Sequence, residues 1–488
     1  MLKTFEKIIF ACCVIPVLWI SGCAPRQEVA SNLSGIDYYE KKKYDLAIQD
    51  FNKAIEVNPA YAESYNNRGN VYSDKGKYGE AIQDYSKAIE LNPQYAKAYY
   101  NRGLAFYGMG NCDRAIQDYK QAIEINPEYS EAYNNMGKAY QKKNNYDEAV
   151  KNFARAIDIN PKLSLAHTSL GFVYYEKGDY DEAIREYGRA IEIDPESADA
   201  YTNRGLVYFT KGDFDKALAD YSKTVEILPE LADAYYNLGL VYYSKGMYYE
   251  AIINYNMAIQ LNPKDADAYC GRGLIYYTKG NHKGNYDAAI QDYDEAIKLN
   301  PYYAEAFYNR GNALFAKDDY DEAIKNYSSA IQFNSQPSVS LSYCGRGNAL
   351  FNKKLYNLAI QNYDQAIMID PKLVAAYNNR GLAYLETANW EKAMADFQKA
   401  MDIDSNDPFS CLNLGTYFWK AKHDKKKALE YYEKSFQKGY NKFDELFDDK
   451  KYGRFIGELN KSFEFSGLVA KYKIKALSPG KPEQQENR

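Results

Sequence analysis

The chain has 488 residues, 46% hydrophobic and 26% charged, a balance that fits a folded protein and excludes a disordered one. Its formal net charge of −5 is small for this length, which excludes a general attraction to nucleic acid or anionic lipid and leaves partner choice to local features. Tyrosine is the outlier, at 52 residues against three histidines.

At the N-terminus, Lys3 and Lys7 precede an apolar run over residues 8–20, the pattern of an export signal. As a helix that run spans roughly 20 Å, short of a hydrocarbon core of about 30 Å. It ends in Ile20-Ser21-Gly22-Cys23, which resembles the lipobox of bacterial lipoproteins. The resemblance implies a lipoprotein signal peptide over 1–22, cleavage before Cys23, acylation of Cys23 and a lipidated tether over 23–31. An ordinary cleaved signal with an incidental cysteine is the alternative. Several acyl chains give stable anchorage, each buried methylene contributing about 0.8 kcal/mol. The implied location is the bacterial cell envelope, lipid-anchored to a membrane.

From there on the chain repeats. Prolines stand at 59, 93, 127, 161, 195, 229 and 263, each 34 residues after the last, and the register continues through Pro301 and Pro371 after two short insertions. The pentapeptide YNNRG at Tyr65 and again at Tyr377 marks one place in this unit. Aligned, the unit occurs twelve times over residues 28–442, with glycine at position 8 (Gly35, Gly69 and so on to Gly415) and alanine at position 20 (Ala47 to Ala428) in every copy. Position 24 is Phe or Tyr throughout, and proline stands at position 32 in nine copies.

Glycine and alanine at these places mark close approach of two helices, Lys-Gly ends the first helix and Asn-Pro or Asp-Pro ends the second. The pattern resembles the tetratricopeptide repeat family. The resemblance implies an all-α fold: a right-handed superhelical solenoid of about twelve helix hairpins, since one hairpin cannot bury both its faces. C-terminal capping helices are expected over 443–475, the first over 443–459, and a disordered tail over 476–488.

Two polar positions stand out within the unit. Position 7 is Arg in seven copies (Arg68, Arg102, Arg204, Arg272, Arg310, Arg346, Arg380), and in five of them position 23 is Asp (Asp84, Asp118, Asp220, Asp292, Asp396). Where position 7 is Met136, Leu170, Leu238 or Leu414, position 23 is never Asp. This internal covariation predicts a partly buried Arg–Asp pair clasping each hairpin, because a buried charge needs a partner. A ladder of arginines on nucleic-acid phosphates would leave the pairing unexplained.

Position 6 is Asn in eight copies: Asn67, Asn101, Asn135, Asn203, Asn237, Asn309, Asn379 and Asn413. In the family this helix face lines the concave groove, and the ladder resembles that of the O-GlcNAc transferase superhelix, whose asparagines hold the backbone of an extended peptide. A carboxamide has both donor and acceptor for a peptide unit. Against this stands the reading that Asn is merely common here. Position 12 adds aromatic rings, among them Tyr175, Phe209, Tyr243 and Tyr277, which suit partner contact or packing. Position 2 is acidic at Glu63, Glu131, Asp199, Asp233, Asp267 and Glu305, which argues against a basic carboxylate clamp, for which only Lys97 fits.

No catalytic or metal constellation is found, and neither a cofactor nor nucleic acid is expected. His167 replaces a repeat aromatic, His282 falls in an insertion and His423 in a turn, while Cys112, Cys270, Cys344 and Cys411 read as isolated apolar substitutions. The expected function is a non-catalytic envelope scaffold binding extended polypeptide segments, in pilus, outer-membrane or cell-wall assembly. The alternatives are the recognition arm of a separately encoded glycosyltransferase or hydrolase, and a glycan or peptidoglycan binder. If Cys23 carries the anchor, Cys23→Ala abolishes lipid labelling and moves the protein out of the detergent phase; unchanged partitioning would contradict the assignment.

Overall fold

The computed structural model of the protein describes residues 26–279, 283–333, 338–440, 465, 468–470 and 472. The regular structure of these residues is entirely helical, twenty-four helices in succession. Two compact units divide the chain, residues 1–230 and 231–488. In the first, the hairpins are α1 (Gln27–Glu40) with α2 (Tyr44–Val57), α3 (Ala62–Asp74) with α4 (Tyr78–Leu91), and α5 (Ala96–Gly108) with α6 (Cys112–Ile125). They continue as α7 (Ser130–Lys142) with α8 (Tyr146–Ile159), α9 (Ser164–Lys177) with α10 (Tyr180–Ile193), and α11 (Ala198–Thr210) with α12 (Phe214–Ile227). The second unit has α13 (Ala232–Ser244) with α14 (Tyr248–Leu261), α15 (Ala266–Thr278) with α16 (Lys283–Leu299), and α17 (Ala304–Ala316) with α18 (Tyr320–Phe333). It ends with α19 (Val339–Asn352) and α20 (Tyr356–Ile369), α21 (Val374–Glu386) and α22 (Trp390–Ile403), then α23 (Pro408–Lys422) and α24 (Lys425–Gln437).

The fold is thus the expected all-α solenoid of twelve hairpins. The signal peptide read over 1–22, the closing helix read over 443–459 and the tail read over 476–488 lie outside the described residues. Helix α1 already begins at Gln27, inside the segment read as tether. Of the residues beyond 440, Phe465 and Val469 are buried against Leu412, Tyr432 and Phe436.

Each hairpin is held by one ring. The position-24 aromatic is fully buried in Phe51, Tyr119, Phe153 and Phe397, and it lies on the position-8 glycine of its own hairpin. A Cβ on Gly35 would stand 2.6 Å from the Phe51 ring, so any other residue there would force the helices apart. The turn between the two helices closes through a left-handed residue, glycine at Gly178 with φ of 82° but Lys42, Asn144 or Ala388 elsewhere. Alanines at position 20, among them Ala47, Ala149 and Ala323, have no exposed surface.

The predicted clasp is present in all five Arg–Asp hairpins. In each, Nε and Nη2 of the arginine donate to the two carboxylate oxygens, at 2.8 and 2.6 Å for Arg68 on Asp84 and 2.8 and 2.7 Å for Arg102 on Asp118. Arg204, Arg272 and Arg380 repeat it on Asp220, Asp292 and Asp396. Where the partner is amide, Arg310 and Arg346 donate Nε to Asn326 and Asn362 at 2.7 Å. The Arg102 side chain is 21% exposed and that of Asp118 7%. Burial pushes the carboxyls of Asp84, Asp292 and Asp396 up from their ordinary value against the pull of the guanidinium.

The same guanidinium also joins hairpins. Nη1 of Arg68 reaches back to Asn52 on α2 at 2.5 Å, that of Arg102 to Ser86 on α4 at 3.0 Å, and that of Arg380 to Asp364 on α20 at 2.6 Å. Arg204 finds Gly188 at this place and has no such bond among the described residues. The face of the group rests on the aromatic three residues earlier, 5.6 Å from the ring centre for Arg68 over Tyr65. Where Leu170 replaces arginine, a different polar pair fills the hairpin: Nδ1 of His167 lies 2.7 Å from Oε2 of Glu186, whose Oε1 accepts from Arg189 at 2.6 Å.

Asp118→Ala strands Arg102 and lowers stability by about 3 kcal/mol. Combining Arg102→Leu with Asp118→Asn restores most of it, since Asn254 beside Leu238 satisfies itself by donating to the Glu250 carbonyl at 2.9 Å. Urea unfolding of the single and double variants checks this; a double variant as unstable as the single one contradicts the clasp.

Candidate peptide-binding face

The odd-numbered helices carry positions 2, 5, 6 and 9 on one face, and the structure places the asparagines there between successive odd helices. Six of the eight use the amide N–H of the side chain to bond the preceding odd helix. Asn67 donates to Asn32 at 3.1 Å, Asn101 to both Asn66 and Asn70 at 3.0 Å, and Asn135 to the Tyr100 hydroxyl at 2.7 Å. In the second unit Asn309 donates to Sγ of Cys270 at 3.8 Å, Asn379 to Asn348 at 2.8 Å and Asn413 to Asn378 at 3.2 Å. The acceptor is the residue 35 positions upstream in Asn67, Asn135 and Asn413 and 31 upstream in Asn379.

Asn203 and Asn237 differ. Both are half-buried and neither makes a side-chain hydrogen bond among the described residues. The residue 35 positions before Asn203 is Thr168, whose hydroxyl is committed to the Ser164 carbonyl of its own helix at 3.1 Å. The role of each asparagine therefore follows from its upstream neighbour, a signal present in the sequence and missed when position 6 is read alone.

A second row of hydroxyls approaches the same face from beneath. The position-24 hydroxyls of Tyr85, Tyr327 and Tyr363 donate to Asn70, Asn312 and Asn348 at 2.8–2.9 Å. With Leu104 and Leu274 at that place, the hydroxyls of Tyr119 and Tyr293 are buried without a partner among the described residues.

The aromatic stripe is arranged differently from the asparagines. Tyr175, Phe209, Tyr243 and Tyr277 are half-buried, each against the ring that follows the turn of its own hairpin (Tyr180, Phe214, Tyr248, Tyr286) at 5.6–5.8 Å between centres. The acids of position 2, in contrast, are exposed at Glu63, Glu131, Asp199, Asp233, Asp267 and Glu305. Asp233, Asn237, Asp265 and Asp267 line an open cleft of about 530 Å³ in the second unit.

The remaining candidates are dispersed. Cys112, Cys270, Cys344 and Cys411 are free and buried, as the repeat spacing implies, and Cys270 and Cys344 serve as acceptors for Asn309 and Asn379. His423 ends α23 in the left-handed conformation, and His282 is outside the described residues. Among the described residues no group of His, Cys, Asp and Glu could hold a metal ion, and no helix is long and apolar enough to cross a membrane. Cys23 lies outside them.

Comparison with known proteins adds the family context. The TPR repeat profile matches residues 35–76, 69–110, 109–144, 171–212, 207–246, 239–280, 282–318 and 347–387, and the tetratricopeptide repeat profile matches 130–163, 304–337 and 374–407. Among solved structures, MamA is 30% identical over 34% of this chain and 96% of its own, with a TM-score of 0.32. YrrB, a TPR protein with an unusual peptide-binding site, is 29% identical over 38% of this chain and 95% of its own, with a TM-score of 0.32. A tetratricopeptide repeat protein from Parabacteroides merdae is 22% identical over 51% and 99% of the two chains, with a TM-score of 0.42. No curated protein matches the chain.

Asn101→Ala leaves a buried acceptor on Asn66 and costs about 2 kcal/mol, whereas Asn203→Ala removes no bond and costs about 0.5 kcal/mol or less. Denaturant midpoints of the two variants measure the difference; equal midpoints would contradict the division.

Proposed function

The chain belongs to the tetratricopeptide repeat family, and from that premise we propose that it is a non-catalytic scaffold of the bacterial cell envelope that holds extended polypeptide segments on its odd-helix face. TPR repeats bind other proteins, and the observation that carries the finer reading is the state of Asn203 and Asn237. Each presents a half-buried carboxamide with donor and acceptor unused among the described residues, on a face whose neighbouring asparagines are consumed by the fold. A peptide unit supplies the complementary acceptor and donor whatever its side chain, so such contacts give affinity without reading sequence.

The exposed acids at position 2 bias the same face toward segments with few negative charges. The lipid on Cys23 would hold the scaffold at a membrane, where its partners are components of pilus, outer-membrane or cell-wall assembly. That part of the reading is supported by the Ile20–Cys23 motif.

Each free carboxamide contributes about 1 kcal/mol as a net hydrogen bond. Asn203→Ala and Asn237→Ala, each alone, therefore weaken the binding of library-selected peptides about fivefold, irrespective of their sequence, with an unchanged melting temperature. Isothermal titration and melting on the same preparation test this; unchanged affinity would remove these residues from the binding face.

A further inference from the structure

Of the seven arginines at position 7, Arg346 is the one that meets no carboxylate among the described residues. Arg68, Arg102, Arg204, Arg272 and Arg380 hold an aspartate on the returning helix. Arg310 has Asn326 there but holds Asp294 of α16 on Nη1. Arg346, on α19, finds an amide and a hydroxyl at the two places. Its Nε donates to Oδ1 of Asn362 at 2.7 Å and its Nη1 to Oγ of Ser328 at 3.0 Å, while Nη2 makes no hydrogen bond among the described residues. Both partners turn their own protons elsewhere, Asn362 to the Leu358 carbonyl at 2.8 Å and Ser328 to the Ile324 carbonyl at 2.7 Å. Burial pushes the Arg346 guanidinium down from its ordinary value, with Tyr343 alone acting the other way.

The place where an acid would stand is open. In the neighbouring repeats the acceptor on Nη1 is position 25 of the preceding even helix, Asp294 for Arg310 and Asp364 for Arg380. These carboxylates are 54% and 45% exposed although the guanidinium that each holds is mostly buried, so solvent reaches this edge of the clasp. Ser328 stands at the same position for Arg346, on α18, and its shorter side chain leaves the carboxylate's place unfilled. Water can occupy it and accept hydrogen bonds, but brings no counter-charge to a half-buried cation.

We propose that Arg346 takes the side-chain carboxylate of an aspartate or glutamate from a partner protein, at the place that Asp294 and Asp364 mark in the flanking repeats. The carboxylate oxygens accept from Nη1 and Nη2, the paired geometry that a guanidinium offers. Carboxylate is the chemistry that the chain itself sets on this edge twice, and an acidic side chain is the form in which a protein carries it. A carboxamide would supply an acceptor without the charge. The site uses none of the carboxamides assigned to the odd-helix face and goes beyond that reading.

The test is selection of a random dodecapeptide phage library on the full-length protein, repeated with Ser328→Asp, with Arg346→Leu and with Asn203→Ala. Ser328→Asp gives Arg346 the internal acid that Arg310 and Arg380 have. Arg346→Leu removes the charge and leaves Asn362 bonded to its own helix, as Asn254 is beside Leu238. On the unaltered protein one peptide position carries Asp or Glu about tenfold over Asn or Gln, the factor expected of a hydrogen bond between charged groups. That preference disappears in Ser328→Asp and Arg346→Leu and persists in Asn203→Ala; Arg346→Leu serves if Ser328→Asp folds poorly. Good binders without an acidic position, or a preference surviving both variants, overturn this site alone. Failure to select any peptide overturns it together with the carboxamide face. A melting temperature raised by sodium acetate over sodium chloride at equal ionic strength, with no acidic position among the peptides, gives Arg346 to a free anion and overturns the protein partner.

Discussion

A guanidinium that is about four-fifths buried needs acceptors on every side, and the way the arginines of position 7 find them organises the solenoid. One edge of the group is taken by an aspartate 16 residues ahead on the returning helix, as Arg68 takes Asp84. The free nitrogen reaches 16 residues back to the preceding hairpin, as Arg68 reaches Asn52. Its flat face lies on the tyrosine one turn earlier. A single residue thus fixes the spacing within a hairpin and between hairpins, and its geometry admits bidentate partners that a lysine would not hold. Burying the pair carries a desolvation cost, visible in the raised Asp84, Asp292 and Asp396 carboxyls, so its contribution lies in specifying register as much as in net stability.

With register fixed by arginine and by the ring-on-glycine contact, the polar groups of the odd-helix face fall into two classes. Those whose upstream neighbour offers an acceptor join the repeats, as Asn101 and Asn413 do. Those without such a neighbour, Asn203 and Asn237, are half-buried and have unused hydrogen-bonding capacity among the described residues. A repeat protein can make this division by single substitutions, because each hairpin contacts only its neighbours and a local exchange does not disturb distant units. The consensus residues thus build the scaffold, and departures from the repeat decide which polar groups it leaves unpaired.

The scaffold is legible in the sequence because it is periodic: glycine, alanine, aromatic and proline recur in register, and the Arg–Asp covariation corresponds to five ion pairs. The link from Arg68 back to Asn52 is not visible within one hairpin, although the acceptor lies at a spacing as regular as that of Asp84. His167 read as an aromatic replacement, while its pairing with Glu186 depends on the loss of arginine at Leu170, a three-residue exchange that no single position reveals. The asparagines read alike because each was considered alone; what separates Asn101 from Asn203 is the chemistry of the residue one repeat earlier, Asn66 against Thr168. Tyr175 and its fellows stand at a regular position, but their contact with the ring across the turn, as of Tyr175 with Tyr180, joins two positions on opposite sides of the turn and is not visible in either alone.

The division between joining and binding carboxamides is tested most directly by side-chain amide NMR of the full-length protein labelled with ¹⁵N at asparagine, before and after addition of a selected peptide. The account predicts slow solvent exchange and unmoved resonances for Asn101, Asn135 and Asn413, with fast exchange in the free protein and large peptide-induced shifts for Asn203 and Asn237. Shifts confined to the joining asparagines, or equal exchange across all eight, would contradict it.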